Sequence, residues 1–135
     1  MRLLAYLWAA PVTIIGCILA LAACRRGRIA IVDGVVEAHG PWLRWALRHL
    51  VPLRGGAAAI TFGHVVLAQD QRALEWTRAH ERVHVRQYER WGALFIPAYL
   101  AAALWAAARG GDAYVDNPFE CEAFAVERNA LAPER

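Results

Sequence analysis

The distribution of apolar and polar positions divides the chain sharply in two. From Leu3 to Ala23 no charged residue interrupts the run, which exceeds the roughly 20 apolar residues that a helix needs to cross a bilayer core. Behind it the pattern breaks into short periods. Ile29 to Val32 and Val35 to Ala38 flank Asp33-Gly34, a dipeptide favoured in two-residue hairpin turns because both central residues take positive φ. Pro41 to Leu50 places Trp42, Trp45, Ala46 and His49 at helical spacing, with Arg44 and Arg48 on another face and Pro52 beyond; this predicts a short amphipathic helix suited to a membrane surface. Ala57 to Ala68 reads as extended chain, its β-branched Ile60, Thr61, Val65 and Val66 interrupted by Gly63, which predicts a bend or bulge. From Ala73 to Trp91 nothing breaks a helix, and Trp76, His80, Val83, His84, Gln87 and Trp91 share one face. The expected fold class is therefore α+β: an N-terminal transmembrane helix, then a small domain with a short β-sheet and one long polar helix. The expected division is a membrane-spanning anchor at 1–27 and a domain at 28–135.

Size and composition narrow the function. With 135 residues, one compact domain plus an appendage is the natural reading. The hydrophobic share of 59% exceeds the roughly 45–50% usual for soluble domains, so either lipid or an unusually rich core takes up the excess, and membrane association is the first expectation. The net charge of +3 comes from scattered arginines, with no basic block interleaved with aromatics, which argues against a nucleic-acid partner. Arg2 precedes the apolar run while Arg25, Arg26 and Arg28 follow it. That bias predicts a single-pass protein of a bacterial-type inner membrane, with the domain behind the helix in the cytoplasm. Leu21-Ala22-Ala23-Cys24 resembles a lipobox and supplies the competing reading, a lipoprotein anchored through Cys24. Cys17, Cys24 and Cys121 form no disulfide framework and no Cys-x-x-Cys zinc motif.

The chemistry lies in His80-Glu81-Arg82-Val83-His84. Residues four apart are neighbours on a helix surface, so two imidazoles can close on one metal ion, and Glu81 beside them can act as general base on an activated water. The bland alternative is a solvated helix whose histidines alternate with Arg78, Glu81, Arg82 and Arg86 in a salt-bridged face. A catalytic zinc takes a third protein ligand. Asn117-Pro118-Phe119-Glu120-Cys121-Glu122-Ala123-Phe124 reads as a helix capped by Asn117, with Pro118 as its first residue and two carboxylates early in it. Glu120 and Glu122 point to opposite sides of that helix, so only one can serve.

Followed by a helix with Glu-x-Glu-Ala, the His-Glu-x-x-His pattern resembles the gluzincin class of zinc peptidases, including the HtpX and CAAX-prenyl protease group, antibiotic-sensor membrane peptidases and minimal gluzincin domains. The resemblance covers roughly residues 28 to 130. It implies Zn2+ held by His80, His84 and Glu120, the first glutamate of a pattern resembling Glu-x-x-Ala-Asp; apart from the resemblance, Glu122 beside it, or His64 if 91–108 crosses the membrane, is the alternative third ligand. It implies peptide or protein substrates, bound along an edge strand at Gly63, His64, Val65 and Val66. Phe124 stands where that pattern has its histidine-orienting aspartate, which leaves the role to another residue such as Asp116. Tyr88 and Tyr114 are candidates to hydrogen-bond the oxyanion of a tetrahedral intermediate. The rival function is a non-catalytic zinc-binding membrane sensor or interaction domain, in which the metal serves folding.

One topological constraint follows. Trp91 to Ala108 carries no charge and is just long enough to span, yet a crossing there would part Glu120 from the histidines. Eight of its eighteen residues are alanine and Pro97 lies within it. The segment is therefore expected to be a core helix or a shallow re-entrant one beside the active helix.

Overall fold

The computed structural model describes residues 2–132, with Cys24 described by its backbone alone; the lipidation reading at the Cys24 side chain lies outside the described residues. The elements in chain order are α1 (Arg2–Ala23), β1 (Arg28–Val32), β2 (Val35–His39), α2 (Pro41–His49), β3 (Ala59–Phe62), β4 (Val65–Ala68), α3 (Gln71–Trp91), α4 (Phe95–Ala108) and α5 (Pro118–Leu131). The class is α+β, with a four-stranded mixed sheet in the order β1-β2-β4-β3. β1 and β2 pair as the expected hairpin, Val32 opposite Val35, with Asp33 (φ 52°) and Gly34 (φ 79°) at its turn.

Gly63 marks more than a bulge. At φ 61° it turns the chain back, so 57–68 is a second hairpin in which Phe62 faces Val65. β4 then pairs in parallel with β2 and lies inside the sheet, which leaves β3 at the edge. The substrate edge expected at Gly63, His64, Val65 and Val66 is thus misplaced: the first two form a turn, and both ladders of β4 are already taken. Ala59–Phe62 is the edge strand on that side.

α1 is built into the same packed unit. Ala9, Val12, Gly16, Ala20 and Ala23 make a buried stripe of mostly small residues at the three- and four-residue steps that mark one helix face. Ala20 and Ala23 share a core cluster with Ala38, Leu43, Val65 and Leu67. Ala9 and Val12 share another with Tyr88 and Phe95. A Cβ on Gly16 would stand 2.7 Å from Val65 Cβ and 2.9 Å from Phe62 Cβ, so the close approach of helix to sheet depends on that glycine. α1 therefore packs along its length on the elements that follow residue 27.

α3 starts at Asp70, whose carboxylate accepts from the Ala73 N–H, satisfying one of the unpaired donors of the first turn. α4 is neither buried core nor long. Only Phe95 and Ala106 are buried, and its 14 residues reach about 21 Å.

Candidate metal centre

α3 passes beneath β3 and against α5, and this brings the two motifs together. His80 and His84 lie one above the other on the buried face of α3. Asn117 caps α5 by accepting from the Phe119 N–H, and its amide donates to the Tyr99 carbonyl. That cap points the first turn of α5, with Glu120, at the histidines. His80 Nε2 lies 3.1 Å from Glu120 Oε2 and 3.2 Å from His84 Nε2, and His84 Nε2 lies 3.5 Å from Glu120 Oε1. All three residues are buried.

Whether these residues suit a metal can be judged from their own geometry. A tetrahedral zinc with ligands at 2.0–2.1 Å has ligand–ligand edges of about 3.3–3.4 Å, close to the three separations found. The protonation pattern agrees. Gln87 donates its amide to the Phe119 carbonyl and to Glu122 Oε2, so its oxygen is left to accept from His84 Nδ1–H at 2.8 Å. His80 Nδ1–H donates to Glu127 Oε2 at 3.2 Å. With both Nδ1 atoms acting as donors, two Nε2 lone pairs and a carboxylate converge, and only a cation, proton or metal, reconciles them.

Each predicted residue can now be placed. Glu120 is with the histidines, and its Oε1 also accepts from Tyr99 at 2.6 Å. Glu122 points away, binding Gln87 and Arg90. It reaches the centre only through Gln87, so it is not the third ligand. Nor is His64, which is buried elsewhere with its ring stacked on Tyr6 at 4.0 Å and Nε2–H donating to Glu89. Asp116 does not fill the orienting role either, because its carboxylate accepts from the Asp112 N–H in the loop before α5. Glu127, seven residues after Glu120 and so two turns along the same face, takes that place, while Phe124 packs edge-on against His80 at 4.9 Å. Glu81 is buried, and the Thr61 hydroxyl on β3 donates to its Oε2 at 2.6 Å. Sequence reasoning missed Gln87, Glu127 and Thr61.

Set against family models, curated proteins and solved structures, the chain matches none. The site itself carries the likeness. His80, His84 and Glu120 form a buried cluster that resembles the zinc site of a His-Glu-x-x-His helix completed by a glutamate, and they could hold a metal ion.

The charges of the site are strongly coupled. Burial alone would lower the His84 pKa, but hydrogen bonding to Glu120 and the nearby Glu81 charge raise it to about 9. His80 is raised against the same burial by Glu120 and Glu81. Burial pushes Glu120 up, yet the two histidines bring it down to about 2. A metal ligand must be deprotonated, so a metal ion bound here would compete with a proton held below about pH 9. Affinity is expected to climb by about tenfold per pH unit as that value is approached and to level off above it, as competition against a chromogenic chelator would show. Without metal the sign reverses. The protonated His84–Glu120 pair stabilises fully below the ordinary histidine pKa of about 6.5 and is lost as pH rises through about 9.

Gln87 is the clearest test of the outer shell. Gln87→Ala removes the acceptor that fixes the His84 tautomer, and zinc affinity should fall about 10–100-fold with the fold retained. An unchanged dissociation constant would mean that Gln87 only fills space.

Two cavities meet over this centre. One, about 450 Å³, is lined by Ile60, Thr61 and Phe62 of β3 and by Phe95, Ile96, Tyr99 and Leu100 across from them, with His80, His84, Glu81 and Glu120 at its base. The other, about 610 Å³, continues along Ala57–Ala59 past Trp76, Tyr114 and Glu127. His80, Glu81 and Tyr114 line both.

Proposed function

We propose that this protein is a membrane-associated zinc metallopeptidase, with His80, His84 and Glu120 as metal ligands and Glu81 as general base. The observation that carries the reading is the convergence of two Nε2 atoms and a carboxylate at the base of a cleft bordered by an edge strand. Zinc bound there would supply Lewis acidity and lower the pKa of a water to about 7. Glu81 then takes a proton from the attacking water and passes it to the leaving amine. Thr61 occupies Oε2 of that carboxylate, which leaves Oε1 for the proton. Tyr114 is half-buried and lines both cavities; its hydroxyl is the group we assign to the oxygen of the tetrahedral intermediate. Extended peptide fits along Ala59–Phe62, where unpaired main-chain groups can accept an added strand. The apolar exposed face of α1, long enough to cross a bilayer, supports membrane association.

The test is metal content together with turnover. The purified full chain, dialysed against metal-free buffer, is expected to retain one zinc per chain and to hydrolyse members of a mixed peptide library. A folded chain without zinc would sink the proposal. One zinc without any hydrolysis would leave the non-catalytic zinc domain.

A further inference from the structure

α1 is apolar enough to span, yet its packing runs along its length. Near its start the Tyr6 hydroxyl donates to the Gly34 carbonyl at 2.8 Å and its ring covers His64. Midway, the Thr13 hydroxyl accepts from the His64 N–H at 3.1 Å. At its end Ala20 and Ala23 lie against the sheet and α2. Tyr6 to Ala23 covers about 26 Å, nearly the whole thickness of a bilayer core. What lies beside it is polar: Glu89, one-third exposed, is bound to His64, and the sheet has open edges. Drawing these through hydrocarbon would leave main-chain and charged groups without partners.

The opposite face is free. Leu7, Ile14, Ile15, Ile18 and Leu21 are each about half or more exposed. At one end Trp8 lies on Gly92, so this ridge runs on to the exposed Leu94 in the turn just before α4. At the other end the backbones of Gly27 and Gly40 touch, a Cβ on Gly40 standing 2.9 Å from Gly27 Cα. That contact brings the exposed Arg25, Arg26 and Arg28 beside Trp42 and Trp45, both about half exposed. Arginine with tryptophan at the margin of an apolar ridge suits the headgroup level of a membrane, and the positive charge suits anionic lipid.

We infer that the chain docks lengthwise on an anionic phospholipid bilayer, with α1 lying in one leaflet instead of crossing both. Arg2 and Arg26 then sit on the same side of the membrane as the metal centre. This refines the membrane association proposed above and is independent of peptidase activity.

The experiment places a single cysteine in the full chain at Arg2→Cys, Arg26→Cys or Arg72→Cys, with Cys17, Cys24 and Cys121 replaced by serine. Each is labelled with a membrane-impermeant maleimide in sealed right-side-out and inside-out vesicles. All three are expected to react from the same side. Labelling of Arg2→Cys from one side and of the other two from the opposite side would overturn the inference. The unaltered wild-type chain gives a second readout, co-sedimentation with vesicles of phosphatidylglycerol or phosphatidylcholine. Partition should be at least about tenfold stronger on the anionic vesicles and should weaken in Trp42→Ala/Trp45→Ala. Equal partition on both lipids, or no binding to either, would overturn it.

Discussion

Replacing Glu81 with glutamine should abolish peptide hydrolysis while leaving the zinc in place. The general base contributes about 10²–10⁴-fold, and the amide keeps the shape of the carboxylate and one oxygen for the Thr61 hydroxyl, so little else changes. Glu120→Ala should do the reverse in order of events. It removes the one anion among three converging donors and strips Tyr99 of its acceptor, so metal is lost first and activity with it. Metal analysis and peptide turnover on both variants separate the roles. If Glu81→Gln retained full turnover, the carboxylate held by Thr61 would be structural and the proton would have to travel by another group. If Glu120→Ala kept stoichiometric zinc, the separations of 3.1 and 3.5 Å to the histidines would describe an ion pair and not a ligand set.

The parts of this site that could be read from the chain are those governed by local rules. His80 and His84 share a helix face by spacing alone, Asn117-Pro118 announces a helix start, and Asp33-Gly34 announces a hairpin. The parts that could not be read depend on pairing at long range. Nothing local says that β4 pairs in parallel with β2 and so pushes β3 to the edge, because such a pairing is decided by how the intervening α2 packs. Glu127 had a faint signal. It stands seven residues beyond Glu120, on the same face of α5, and Phe124 had already vacated the expected position. Gln87 had one too, three residues after His84, but the many polar residues of α3 hide it until its amide is seen between Glu122, Phe119 and His84. The small-residue stripe of α1 was legible in principle. Read only for length and hydropathy, a helix of this kind passes for a free anchor. Its steps of three and four between Ala9, Val12, Gly16, Ala20 and Ala23 mark a face made for close packing.

That stripe leads to the second large effect. A chain lacking residues 2–23 should fail to fold, whether or not lipid is supplied. It would lose two of the six buried members of one core cluster and two of the four of another, uncovering Val65, Leu67, Tyr88 and Phe95. Tyr88 and Phe95 also border the cleft over His80, His84 and Glu120, so that cluster should go with the fold. Gly16→Leu probes the same contact without removing the helix. With even a Cβ pressed against Val65 and Phe62, the larger side chain should cost about 1–3 kcal/mol, measured by urea unfolding in detergent with bound zinc as a second readout. A truncated chain that unfolds cooperatively and holds one zinc would show instead that the sheet and α3 close their own core. α1 would then be the detachable anchor that its hydropathy alone suggests.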